Sequence, residues 1–249
     1  MLRLFLIAPF FYFFLVSASV SAEFSVDAMR ANAQVLNLHA SSQVIQARNA
    51  LRSIARLMKR VDLTEKEAHQ LFGDFLRDLS GVRAIIYADR EGLLKYDSFS
   101  LPVPPVNLGS RVYFKDTIAM EENEIYVGLP VLGKTSSIPF IPISIPFKKN
   151  GVVQGVLAAV LTPNSLVVNN NPKNCLHCVS IVTDLEGNIL AQNPGGFELS
   201  KNFRTELNAS MLEVQGYRRI RVGLLEGQIY WFRSPKTPII SIFLEFIRD

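Results

Sequence analysis

Charge of one sign never accumulates in this chain: no block of like charge is longer than Lys148-Lys149 or Arg218-Arg219, although the net charge is +4. A nucleic-acid surface needs a basic stripe or patch, so nucleic acid is excluded as a partner. Histidine is scarce, with three residues: His39 and His69 in helical sequence and His177 between two cysteines. No Gly-x-Ser-x-Gly elbow is present, and the acidic pairs Glu121-Glu122 and Asp89 with Glu91 fall in turns and loops. Nothing therefore assembles a nucleophile, a base and an orienting acid. The only cysteines are Cys175 and Cys178. In an oxidising compartment they read as a short local disulfide. With His177 they could hold a metal, but a structural zinc site takes four ligands and the other histidines are remote. No metal and no cofactor is expected.

Glycine and proline are both missing between Glu23 and Phe72. There, Met29, Ala33, Leu36, Ala40, Val44, Ala47, Leu51, Ile54 and Met58 recur at steps of three and four, the spacing of one long amphipathic helix. Asp62-Leu63 interrupts the stripe, and Thr64-x-x-Glu67 is a capping box that opens a second helix to about Leu79. Long apolar runs are missing too, except at the start, where 4–16 is almost unbroken and Val20-Ser21-Ala22 offers a small-residue cleavage site. Residues 1–22 are an export signal or, uncleaved, a membrane anchor over 4–22. Either alternative places the rest outside the cytoplasm, periplasmic or otherwise extracytoplasmic.

Hydrophobic residues make up 49% of the sequence and charged residues 19%, enough for a real core. One phrase appears twice: a β-branched run, Asp-x-Glu-Gly and a second apolar run, at Asp89-Arg90-Glu91-Gly92 and at Asp184-Leu185-Glu186-Gly187. Each is two strands joined by a tight turn that needs positive φ at glycine. The repetition predicts a duplicated module. Strands are expected over 82–87, 93–97, 124–127, 141–147 and 152–161, with Asn150-Gly151 turning the last two, and a short helix over 113–120. Pro139, Pro142 and Pro146 belong at edges or loop borders. A second set of strands is expected over 179–183, 188–192, 217–222, 228–233 and 239–247. The fold class is α+β, with two antiparallel sheets hung from one long helix.

Residues Gly128-Leu129-Pro130-Val131-Leu132-Gly133-Lys134-Thr135 match the phosphate-binding loop letter for letter. That loop works at the N-terminus of a following helix. Here the continuation is Ser136-Ser137-Ile138-Pro139-Phe140-Ile141-Pro142, which cannot be helical, so a plain loop between two strands is expected.

Three further features occur in order: Arg111-Val112-Tyr113-Phe114, then Tyr126-Val127, then Gly151 to Gly155-Val156-Leu157. With the long first helix and the Asp-x-x-Gly strand, they make the chain resemble the double Cache, PAS-like extracytoplasmic sensor domains of chemoreceptors, histidine kinases and cyclic-dinucleotide enzymes. The likeness runs over roughly 24–247. It implies a long helix followed by two PAS-like modules, each an antiparallel sheet with short helices. The divisions are 23–80 for the helices, 81–161 for a membrane-distal module with the ligand pocket, 162–174 for a connector and 175–249 for a smaller membrane-proximal module.

The resemblance puts Arg111, Tyr113, Phe114, Tyr126 and Lys134 at the ligand. An arginine fork holds a carboxylate while aromatic faces wall off the remainder. The alternative is that Tyr113 and Phe114 are core aromatics and Arg111 a surface residue. Val106 stands where the amino-acid-binding version has tyrosine, and the loop 129–134 has no acid for an ammonium group. A small organic acid is therefore favoured over an amino acid, with no catalysis. The likeness further implies a membrane contact through the N-terminal segment if uncleaved, and a homodimer through the long helix. The chain ends at Asp249 without an output domain. It is read as a free-standing sensor or as the sensory fragment of a cyclase, phosphodiesterase, histidine kinase or chemoreceptor.

Overall fold

A computed structural model describes residues 25–168, 175, 177–196, 213–222 and 225–247. The N-terminal segment 1–22 and the part of the connector over 169–174 lie outside the described residues. Among those described, no helix is long and apolar enough to cross a membrane.

The glycine-free stretch forms α1 (Val26–Arg60), 35 residues capped by Ser25, whose Oγ accepts the Ala28 amide. Asp27 lies in its first turn and Lys59 and Arg60 in its last, each complementing the helix dipole. Every apolar residue of the predicted stripe from Met29 to Met58 is buried. After the break at Asp62-Leu63 comes α2 (Glu65–Arg77). Thr64 Oγ1 accepts the Glu67 amide at 3.3 Å, and Glu67 Oε2 accepts the Thr64 amide at 2.8 Å. Bonds from Thr64, first its hydroxyl and then its amide, hold the Glu67 carboxyl below its usual range. A depressed carboxylate stabilises above its unfolded pKa and stops doing so as pH falls through its folded pKa. Thr64→Ala should cost about 1 kcal/mol at neutral pH. In urea titrations, that deficit should shrink in acid, as wild type loses the same carboxylate bonds.

The first sheet contains β1 (Val82–Asp89), β2 (Leu94–Asp97), β3 (Tyr126–Val127), β4 (Val131–Leu132), β5 (Pro139–Lys149) and β6 (Val152–Leu161). Its order is β2-β1-β6-β5-β3, with β4 paired to β5. The second contains β7 (Cys178–Thr183), β8 (Ile189–Asn193), β9 (Gln215–Val222), β10 (Leu225–Arg233) and β11 (Ile240–Ile247), in the order β8-β7-β11-β10-β9. Both orders are one permutation: the hairpin partner at the edge, then the first strand, the last, the penultimate and the third. All pairings are antiparallel.

The repeated phrase has one geometry in both places. Asp89 Oδ1 accepts the Glu91 and Leu93 amides, and Asp184 Oδ1 accepts the Asn188 amide. Gly92 and Gly187 have φ of 82° and 80°, the left-handed conformation that glycine adopts without a Cβ clash. The pairing slips between Tyr87 and Ala88 in one copy and between Val182 and Thr183, the matching positions, in the other. Asp89 and Asp184 are turn residues.

Alternation sorts the first sheet into two buried faces. Ile85, Tyr87, Ile143, Ile145 and Leu157 meet α1, with Phe72 of α2 in the same cluster. Ala84, Ile86, Ala88, Val156 and Ala158 meet α3 (Val112–Ile118) on the other side. The α1 cluster also takes in Val182, Leu190, Ala191 and Ile239 of the second half, so this helix stitches both sheets into one core.

Two prolines depart from expectation: Pro142 and Pro146 lie inside β5, an interior strand paired with β6 over 141–149, whereas Pro139 opens the strand at its loop border, as expected. The ladder survives because of parity. The Pro142 carbonyl accepts the Gly128 amide, so its ring nitrogen also faces β3 and not β6, and Pro146 has the same parity. On that side, β3 pairs only Ser144 and Ile143.

Cys175 and Cys178 form a disulfide with Cα atoms 5.6 Å apart, at the entry to β7, whose first residue is Cys178. Glu245 lies beside the sulfurs, but bonded sulfurs are not thiolate ligands. Cys178 packs with Met29 and Ala33, where the start of α1 meets the second sheet.

Candidate functional site

The face of the first sheet turned away from α1 is only partly covered. Between β1, the first turn of α3 and the hairpin over 129–138 lies a cavity of about 440 Å³. Its walls are mostly apolar, from Ala84, Ile86, Leu94, Val106, Leu108 and Phe140. Three cations, Arg83, Arg111 and Lys134, and one carboxylate, Asp97, also line it, with Tyr113, Thr135 and Ser136 adding hydroxyls.

Helix α3 positions the first of these. Thr117 Oγ1 and Ser144 Oγ share a buried 2.6 Å hydrogen bond that docks the helix on β5. Arg111 is its N-cap but makes no side-chain cap bond, so the guanidinium is directed elsewhere. Its Nη2 donates to the Leu132 carbonyl at 2.8 Å, tying α3 to β4 across the cavity mouth. Lys134 Nζ donates to the Asn107 carbonyl at 2.5 Å, closing the mouth from the opposite loop. Neither cation, nor Arg83, has a carboxylate within ion-pair distance among the described residues. The segment 128–135 is a loop around β4 that returns directly into β5, with no helix after it.

Tyr113 is buried with its ring edge-to-face against Phe140, centroids 6.3 Å apart. Burial pushes its hydroxyl up to about 12, against the opposing pull of Arg111, so it stays a protonated donor. The remaining expected residues do not line the cavity. Phe114, the next position round the helix, packs into the cluster beneath α3. Tyr126 packs at the edge of that cluster near Asp116; burial first, then the Asp116 charge, raises its hydroxyl to about 12. The arrangement expected from the resemblance thus resolves into Arg111, Tyr113 and Lys134 on the wall and Phe114 and Tyr126 as support.

Two wall residues, Arg83 and Asp97, carry no signal in the amino-acid order. Arg83 comes next to Ala84 at a slip in the β1–β6 pairing, which brings consecutive residues to one cavity. Its Nη2 donates to the Pro139 carbonyl at 3.2 Å, and its Nε is buried without a hydrogen-bond partner. Asp97 closes β2, and its Oδ1 accepts the Phe99 amide at 2.8 Å. Burial raises the Asp97 carboxyl above its usual range, opposed by the Phe99 and Ser100 amides, the His69 charge and the Ser100 hydroxyl. His69 itself bonds the Asp97 carbonyl and His39 the Ser165 carbonyl, so both serve the backbone. The run Asp97-Ser98-Phe99-Ser100 has the composition of a turn, and that conceals a wall acid.

Solved structures share this fold. The extracellular domain of rpHK1S-Z16, described as a putative histidine kinase, matches with a TM-score of 0.75 and 19% identity, over 88% of this chain and 93% of that one. The ligand-binding domain of Mlp24, solved with asparagine, matches at 0.63 and 13% identity over 88% and 91%. That of the Pseudomonas aeruginosa amino-acid chemoreceptor PctC, in complex with GABA, matches at 0.64 and 14% identity over 89% and 100%. No protein-family model and no curated protein matches the chain. The two-sheet α+β fold with a long first helix is thus the fold of extracellular ligand-binding domains.

Proposed function

We propose that this chain is an extracytoplasmic ligand-sensing domain without catalytic activity, whose first-module cavity takes a small carboxylate with an apolar body. One observation carries the reading: Arg83, Arg111 and Lys134, none with a carboxylate partner among the described residues, converge on a cavity whose walls are otherwise mostly apolar. Guanidinium forks bind carboxylates through charge-assisted pairs, and apolar walls accept the remainder of the molecule. In this reading residues 81–161 are the membrane-distal sensing module and 175–249 the proximal support. The N-terminal segment is either an anchor or a cleaved leader, and α1 transmits the change to the membrane or to a second copy. The reading is the same for a free-standing domain and for the sensory part of a longer signalling protein.

Asp97 favours a second reading. A wall carboxylate can hold an ammonium group, which restores the amino acid that the acid-free loop 129–134 argued against. Asparagine and GABA in the solved neighbours have the same two-ended chemistry. A thermal-shift series with hexanoate, phenylacetate, succinate and amino acids separates the two. Simple carboxylates should raise the melting temperature, and Asp97→Asn should leave or strengthen that rise. If only amino acids bind, and Asp97→Asn abolishes them, the second reading replaces the first. In that case binding should weaken in acid at a higher pH than for an ordinary carboxylate, because protonation of the raised Asp97 removes the ammonium partner. If nothing in the series shifts the melting temperature, both readings fail.

A further inference from the structure

A second concentration of charge lies on the opposite side of the sheet. Arg48, Arg52, Arg56 and Lys59 recur at steps of four, four and three along α1, so they share one face. Like charges at such spacing destabilise a helix. Lys148, near the end of β5, faces the same groove. Arg52, Arg56, Lys59 and Lys148 line a small cavity of about 120 Å³ backed by Ile145 and Pro146.

The protein's own neutralisation of this groove is incomplete. Glu122 pairs with Lys59, Glu121 pairs with Lys148 at 3.3 Å, and Arg52 donates to the Asn123 carbonyl. Two acids therefore stand against five cations once Arg48 is included. Arg56 is exposed and has no ion pair among the described residues, and Arg48 Nε is buried without a hydrogen-bond partner. Burial, then the charges of Arg48 and Arg56, lower the Arg52 pKa, as crowding of like charge requires.

We propose that this groove between α1 and β5 is a second binding site, distinct from the first-module cavity, for a compact multiply charged oxyanion of the phosphate or sulfate class. Guanidinium forks match the oxygen geometry of such an anion, and the cavity has room for one tetrahedral group. Glu122 occupies the anion's place in part, since its carboxylate is already an oxyanion bonded to Lys59. Binding would exchange that contact for one carrying more charge. The acids that would be displaced lie in the loop directly after α3, so the helix that presents Arg111 also feels the second site.

The test uses the full chain and isothermal titration with inorganic phosphate, sulfate and pyrophosphate, against sodium chloride at matched ionic strength. Arg56→Glu is the central variant, because Arg56 is exposed and makes no contact the fold requires. Phosphate or sulfate should bind wild type, and Arg56→Glu should weaken it by about tenfold or more. Equal affinity in the variant, or heat no greater than that of matched chloride, overturns the proposal. Arg111→Ala removes the anchor of the other cationic cavity; if it, and not Arg56→Glu, lowers the affinity, the oxyanion sits there and the second site falls. Phosphatidylglycerol vesicles present the same chemistry as a surface. Co-sedimentation that Arg56→Glu abolishes, without binding of the free anions, would assign the groove to a lipid headgroup and overturn the free-oxyanion proposal.

Discussion

Gly155→Ala should strongly destabilise the protein. Gly155 pairs with Asp89 in the β1–β6 ladder, at a φ of 154°. A Cβ built there would lie 2.0 Å from the Ala88 carbonyl oxygen and 2.9 Å from the Asp89 Cα. Both neighbours are backbone, so no side chain can swing away; either β1 moves or the pairing breaks. Substitutions that cost more than about 4 kcal/mol come from a short list of causes, and a backbone clash in a central strand is one of them. Stability totals only about 5–15 kcal/mol for a typical domain. The expected result is a large drop in the urea midpoint with loss of near-ultraviolet circular dichroism. Gly151→Ala is the matched control. Gly151 also has positive φ, 77°, but a Cβ added there would meet no atom within 4 Å, so only conformational strain of about 1 kcal/mol applies. Equal midpoints for the two variants would show that close approach is not what requires glycine at position 155.

That contrast explains why some features were legible in the amino-acid order and others were not. The α1 stripe, the capping box and the two Asp-x-Glu-Gly hairpins depend on residues within four positions of one another, so local periodicity and turn chemistry reach them. The fold class followed from them. The identity of the motif glycine at 155 was readable, but its reason was not, because the obstructing atoms belong to Ala88 and Asp89 on another strand. Pro142 and Pro146 of β5 defeat the expectation for the same kind of reason: whether a missing amide is tolerated depends on which neighbour that amide would face. At the site, Arg111, Tyr113 and Lys134 reach the cavity from one stretch of chain, whereas Arg83 and Asp97 come from β1 and β2. A pairing slip at Arg83 defeats the alternation rule, and Asp97 is disguised as a turn acid.

The second large effect concerns the first-module cavity, proposed above to take a carboxylate. Arg111→Ala should lower affinity for the carboxylate that gives the largest thermal shift by between about tenfold and a hundredfold, the worth of a charge-assisted hydrogen-bonded pair. The side chain currently satisfies itself on the Leu132 carbonyl, a neutral acceptor, and a ligand carboxylate is a stronger one. Exchange of one for the other releases β4 from α3, so binding and movement of the 129–138 hairpin are coupled. Arg111→Lys keeps the charge but not the fork, and should recover only a small part of the loss. Lys134→Ala should matter less, because Lys134 is exposed and water screens its charge. Titration calorimetry of the three variants orders them: alanine at 111 weakest, lysine at 111 next, alanine at 134 nearest wild type. Because Arg111 is half-buried and has one bond to a carbonyl, the unliganded melting temperature should scarcely change. A loss of affinity that tracks a loss of stability would make Arg111 a structural strut, and full affinity in Arg111→Ala would remove it from the site.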